Sequence, residues 1–288
     1  MRRGHRAAFI AALTDGLDVR DGTVAGEHAD VPVRRYRAAD GRAGERLVWV
    51  HGGAFSHGGL DQLESHAVSA ALARRGIEVV AVDYRRVPAW SRFRDAPAGP
   101  LPGVRFPVPL DDVMTVLREH PHAWLGGASA GACLSAAAAA RLAAGGEHGP
   151  RGLVLAYGTF HAHLPPVPPH IRRRVRGRHR FTQFRPETVR RMNHNYAGSR
   201  QAMDDPFAFP GGHAPRGLPR TLMVDADHDT LRASGEAFAA ELAAAGVPVE
   251  HHVVPGSAHG FLDRPHTPHF TSATALIADR LTRHQKGR

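Results

Sequence analysis

Apolar runs alternate with helical patterns from about residue 47 onward. Leu47–Val50 reads as a strand, and Asp61–Arg75 as a helix that Gly76 stops. Glu78–Tyr84 is a second apolar strand, Leu110–Glu119 a helix, and Ala123–Gly127 a third strand. Ala132–Ala144 is almost pure alanine and leucine, which favours helix strongly. Leu153–Tyr157, Thr221–Val224 and Val249–Val254 complete the strands. The remaining helices are Ser234–Ala245, ended by Gly246, and Phe270–Arg283. Strands written as unbroken apolar runs are buried on both faces. Alternating with helices, they predict an α/β fold with a mostly parallel central sheet flanked by helices. No internal repeat is visible.

Three segments break the alternation. Residues 1–46 hold a helix and a short strand pair, of which Val31–Tyr36 is the better strand. Residues 86–109 form a long loop rich in Pro, Arg and Gly. Residues 159–217 are rich in Pro, His and Arg, with one helix at Pro186–Tyr196 whose proline suits the first helical position. A long insertion in a compact domain is a lid, a binding loop or partly disordered. None of the three reads as an independent domain, so 1–288 is read as one.

Composition narrows the class. With 288 residues, 42% hydrophobic and 22% charged, the chain reads as a soluble globular protein with a substantial core. No apolar run reaches the roughly 20 residues of a membrane span. Met1-Arg2-Arg3 followed by Ala7–Leu13 is a weak match to a signal peptide, because the apolar stretch is short and Thr14-Asp15 follows at once. An amphipathic N-terminal helix is the expectation. Cys133 is the single cysteine, so an intramolecular disulfide is excluded and a cytoplasmic location is expected. The net charge of +10 and the run Arg172–Arg180 invite a nucleic-acid reading. Lys286 is the only lysine, which makes the arginine excess a property of the whole chain. No aromatic platform accompanies the run, so it is read as a solvated surface and no nucleic-acid partner is expected.

The chemistry is concentrated in one motif and its context. Gly127-Ala128-Ser129-Ala130-Gly131 reads Gly-x-Ser-x-Gly between an apolar strand and a helix. A serine on such an elbow is held in a strained backbone with its hydroxyl exposed. The flanking glycines avoid a Cβ collision across the turn. Nucleophilic serine needs a base, an orienting carboxylate and an oxyanion hole. His259, in Gly256-Ser257-Ala258-His259-Gly260-Phe261 after the last strand, is the base. The acid follows the preceding strand, in Asp225-Ala226-Asp227-His228-Asp229-Thr230-Leu231. Asp229 is preferred for its place just before the next helix, with Asp227 and then Asp225 as alternatives. His51-Gly52-Gly53-Ala54-Phe55 follows the Leu47–Val50 strand. The amides of Gly52, Gly53 and Ala130 are assigned to the oxyanion hole, and His51 to bracing the loop. His161-x-His163 and His251-His252 lack partners at metal-ligand spacing, so no metal is expected.

These pieces, with Val31–Tyr36, Gly58, Val82-Asp83-Tyr84-Arg85 and Leu110-Asp111-Asp112, resemble the hormone-sensitive-lipase-like esterases of the α/β-hydrolase superfamily. The resemblance implies hydrolysis of short- to medium-chain carboxylic esters through an acyl-enzyme, with no cofactor. It also implies a reduced cap over the site, built from about 1–30 and 159–217. Family members often carry an acidic residue where this chain has Ala128, and a third glycine where it has Ala54. Neither change removes a backbone donor. An amidase, formamidase or lactonase would use the same triad, and a non-catalytic receptor could share the fold. The small-molecule ester is the expected partner. A homodimer is compatible with the resemblance, but the sequence marks no pairing surface.

Overall fold

The computed structural model describes residues 11–27, 29–40, 44–91, 99–213 and 216–283. Its strands are β1 (Leu17–Val24), β2 (Val31–Ala38), β3 (Arg46–Val50), β4 (Glu78–Val82), β5 (Trp124–Ala128), β6 (Leu153–Ala156), β7 (Thr221–His228) and β8 (Val249–Ala258). They form one sheet of 8 strands in the order β1-β2-β4-β3-β5-β6-β7-β8. β1 and β2 pair antiparallel, as do β2 and β4. From β4 to β8 every pairing is parallel.

The apolar runs are explained by what covers them. Alternate residues of β3 enter two separate cores: Val48 and Val50 one, Leu47 and Trp49 the other. The first core is shared with α2 (Val108–Arg118), α3 (Ala130–Ala144), α5 (Pro186–Ala197) and α7 (Arg232–Ala244). The second is shared with α1 (Leu63–Ala73) and α8 (Pro268–Thr282). A strand in this position has no face for polar residues. Each fully buried Val or Leu contributes about 1.5–3 kcal/mol relative to exposure. Because these strands run parallel, the carboxyl ends of β3, β5, β7 and β8, at residues 50, 128, 228 and 258, lie at the same end of the sheet.

Residues 159–217 are more structured than the sequence pattern suggested. Besides α5 they contain α4 (Pro169–Arg174), a 3₁₀ turn at Gly177–Thr182 and α6 (Arg200–Met203). α5 is fastened by Tyr196, whose ring stacks on Phe55 at 4.0 Å. The arginine run is partly tied down. Arg172 Nε donates to Val167 O at 2.7 Å, Arg174 pairs with Asp227, and Arg180 lies 4.6 Å over the Phe181 ring.

Two expectations change. Residues 17–24, inside the cap segment expected at about 1–30, form edge strand β1, the partner of β2 in the strand pair expected within residues 1–46. Their alternation of Leu17, Val19 and charged neighbours is that of a half-exposed edge strand. Residues 1–10 lie outside the described residues, so the expected N-terminal helix is seen only at Ala11 and Ala12. β7 also runs on through Asp225 to His228, because its ladder with β8 continues past a bulge between Ala226 and His228.

Candidate active site

Ser129 sits between β5 and α3 at φ 53° and ψ −117°. A non-glycine residue there is strained by about 1–3 kcal/mol and must be over-determined by its surroundings. Its N–H donates to Ala156 O at 2.8 Å, and its carbonyl accepts the amide of Ala132 at 3.1 Å. The elbow glycines have the steric reason expected of them. A Cβ on Gly127 would lie 2.5 Å from the Gly131 carbonyl and 2.6 Å from Val50 O.

The structure brings Ser129, His259 and Asp229 together. His259 Nε2 is 3.1 Å from Ser129 Oγ, and its Nδ1 is 2.6 Å from Asp229 Oδ2. A carboxylate only accepts, so Nδ1 carries the proton and the Nε2 lone pair faces the serine hydroxyl. Asp229 is 1% exposed and its other oxygen accepts the Leu231 amide at 3.0 Å. Burial works to lower the His259 pKa, but Asp229 beside it, helped by Glu64 and Asp225, outweighs that and raises it. The rings of Tyr157 and Phe184 approach His259 edge-on at 5.0 and 4.7 Å.

The two alternative acids have other partners. Asp227 pairs with Arg174 and accepts the Gly256 amide at 2.9 Å, and Arg174 holds its carboxyl down to about 2. Asp225 accepts from His251 Nε2 at 2.8 Å, while burial pushes its pKa up. His161 bonds Ser234 and Glu241. Among the described residues no group of three His, Cys, Asp or Glu side chains is placed to hold a metal.

The oxyanion loop differs from the expectation in one member. The Gly52 N–H donates to Glu64 Oε2 at 2.7 Å, so it is occupied before any substrate arrives. The cavity at Ser129 is lined by Gly53 and Ala54, both at positive φ. That leaves Gly53 and Ala54, which line the cavity, with Ala130 after the nucleophile, as the candidate donors. Nothing in the sequence signals this, because the group that takes the Gly52 amide comes from α1. His51 braces the loop: its buried ring stacks on Tyr84 at 4.4 Å, and the Tyr84 hydroxyl donates to its carbonyl at 3.3 Å.

The cavity is about 610 Å³, a size that holds a small organic ligand. Trp90, Phe184 and Met192 give it an apolar wall, and His57, Gln62 and Arg264 a polar one. Trp90 and Phe184 lie in segments that carry no motif, so sequence reasoning passed over them. Glu64 and Tyr157 were missed for the same reason.

Comparisons with known proteins agree with this geometry. A family model described as alpha/beta hydrolase fold matches residues 47–263. An ethyl acetate hydrolase of Pseudomonas putida is 31% identical over 270 residues, covering 89% of this chain and 80% of that protein. Carboxylic ester hydrolase LipN of Mycobacterium tuberculosis is 28% identical, covering 91% of this chain and 69% of its own length. Among solved structures, a Pyrobaculum calidifontis esterase superposes with a TM-score of 0.79 at 23% identity, covering 99% of this chain and 92% of that one. With the elbow, the strand order and these relatives in agreement, the chain belongs to the α/β-hydrolase family, among its hormone-sensitive-lipase-like esterases.

Proposed function

We propose that this protein hydrolyses short- to medium-chain carboxylic esters through an acyl-enzyme on Ser129. The observation that carries the reading is the hydrogen-bonded line from Ser129 Oγ through His259 to Asp229, opening into a cavity beside Gly53 and Ala54. His259 takes the serine proton as Oγ attacks the ester carbonyl. Asp229 holds the Nδ1–H tautomer and stabilises the imidazolium. The amides of Gly53, Ala54 and Ala130 receive the oxyanion, each worth about 3 kcal/mol of barrier. His259 then protonates the leaving alcohol, and water repeats the sequence on the acyl group.

The chain acts as one hydrolase domain, with residues 159–217 as the cap that supplies Phe184 and Met192 to the acyl pocket. Identity to the ethyl acetate hydrolase favours a small acyl and a small alcohol. No helix of the described residues is long and apolar enough to cross a membrane. A cytoplasmic location and a homodimer complete the proposal; fractionation and light scattering test them. The test of the chemistry is Ser129→Ala assayed on p-nitrophenyl acetate and butyrate. Hydrolysis is expected to vanish with the fold intact. Near-native turnover would end the reading.

A further inference from the structure

Glu64 is a buried charge that this mechanism does not use. It lies in the first turn of α1 and is 3% exposed. Its Oε2 accepts the Gly52 amide at 2.7 Å and its Oε1 the Tyr157 hydroxyl at 2.6 Å. Gln62 Nε2 approaches Oε2 at 3.4 Å. The Glu64 backbone is tied as well: its N–H donates to Asp263 Oδ1 at 3.0 Å, and its carbonyl accepts from Trp49 Nε1 at 2.9 Å. One residue therefore joins the end of β3, the oxyanion loop, the turn after β6 and the turn that follows His259.

We propose that Glu64 is a positioning residue of the esterase site, anchoring the Gly52–Ala54 loop and adding a second negative charge that favours protonated His259 during acyl transfer. This rests on the reading of Ser129, His259 and Asp229 given above.

Three lines of geometry support it. Gly52 can only donate, so Oε2 is an acceptor. The Tyr157 hydroxyl donates to Oε1 at 2.6 Å. Both oxygens accepting is the pattern of a carboxylate, although burial pushes the Glu64 pKa up against the Tyr157 and Gly52 bonds. Gly52 leaves no slack in the anchor, since a Cβ there would strike Glu64 Oε2 and sit 2.9 Å from Ala128 O. The loop cannot shift without breaking a buried bond, and a misplacement of about 1 Å in an active site costs about a hundredfold in rate.

The charges around His259 are few. Asp229 and Asp225 come from β7 and its end, and Glu64 from α1. Asp263 acts on Glu64 from the turn after His259, and Arg264 and His57 line the same cavity. Burial lowers the His259 pKa, while Asp229 and then Glu64 and Asp225 raise it above its ordinary value.

The test compares Glu64→Gln, Glu64→Asp and Tyr157→Phe with Ser129→Ala, in the full chain on p-nitrophenyl butyrate. Melting curves and pH profiles of kcat/KM are recorded for each. Glu64→Gln is nearly isosteric and neutral. It is expected to lose about tenfold or more in kcat with KM little changed. The acid limb of its profile should move to lower pH, because a negative charge that favours the imidazolium is gone. Glu64→Asp keeps the charge, so its acid limb should stay in place while kcat falls; Tyr157→Phe removes a bond that holds Glu64 ionised and should also lower kcat. Wild-type kcat in Glu64→Gln, or an unmoved acid limb with folded protein, overturns the proposal. If Glu64→Gln fails to fold, full kcat in the other two variants overturns it. An active Ser129→Ala would instead overturn the site assignment itself, so the two failures are distinguishable.

Discussion

Two glycines of α3 and its end should respond in opposite directions to the same substitution. Gly131 lies in the first turn of α3, where helix propensity alone predicts that alanine stabilises by about 1 kcal/mol. A Cβ there would be well inside contact distance of Val50 O and 2.5 Å from His51 O. These are backbone atoms of β3 and the oxyanion loop, and neither can rotate away. Overpacking of this kind costs about 3 kcal/mol at its upper end, so the clash wins by about 2 kcal/mol. For a chain of this size that is a drop in Tm of about 4 °C. The loop that must yield carries Gly53 and Ala54, so kcat should also fall about a hundredfold. Gly145 is the control. It ends α3 at φ −80°, and a Cβ would meet nothing closer than Arg141 O at 3.4 Å. Gly145→Ala should stabilise by about 0.4–1 kcal/mol and leave activity unchanged. Thermal melts and p-nitrophenyl butyrate assays of both variants decide the matter. A Gly131→Ala protein as stable and active as wild type would refute the packing argument for the elbow.

Asp229→Asn should lose most of kcat, because the amide disturbs the His259 tautomer, by about 10⁴-fold in comparable triads. Asp227→Asn should keep most of it; a larger loss in Asp227→Asn would reassign the orienting acid. Cys133 is fully buried beneath the elbow, and burial pushes its thiol pKa well up. It should resist a thiol reagent such as DTNB until the protein unfolds, and rapid labelling with retained activity would show that the α3 face is open.

The parts of the fold that were legible are those where burial leaves the sequence no choice. β3 to β6 are apolar on both faces, so they stand out as continuous runs. β7 was read too short because Asp225 and Asp227 look like loop residues. Their partners His251, Arg174 and Gly256 come from β8 and α4, which a local window does not see. β1 is the fainter member of the strand pair expected in residues 1–46, because an edge strand carries charges on its exposed side. At the site, order and local sequence pick out Ser129, His259 and Asp229, which the structure brings within hydrogen-bond distance. The Gly52 amide, which the sequence offers as a donor, is taken by Glu64 from across the fold, a contact that no local window shows. Phe184 and Trp90 shape the cavity from irregular segments, where no periodicity marks a side chain as inward.

The central claim is that Ser129 is the group that becomes acylated. Treating the folded protein with a fluorophosphonate and mapping its peptides by mass spectrometry tests this directly. A single adduct on the peptide containing Ser129, with activity lost in proportion, is the predicted result. Full labelling of another residue, or complete inactivation with Ser129 unmodified, would contradict it.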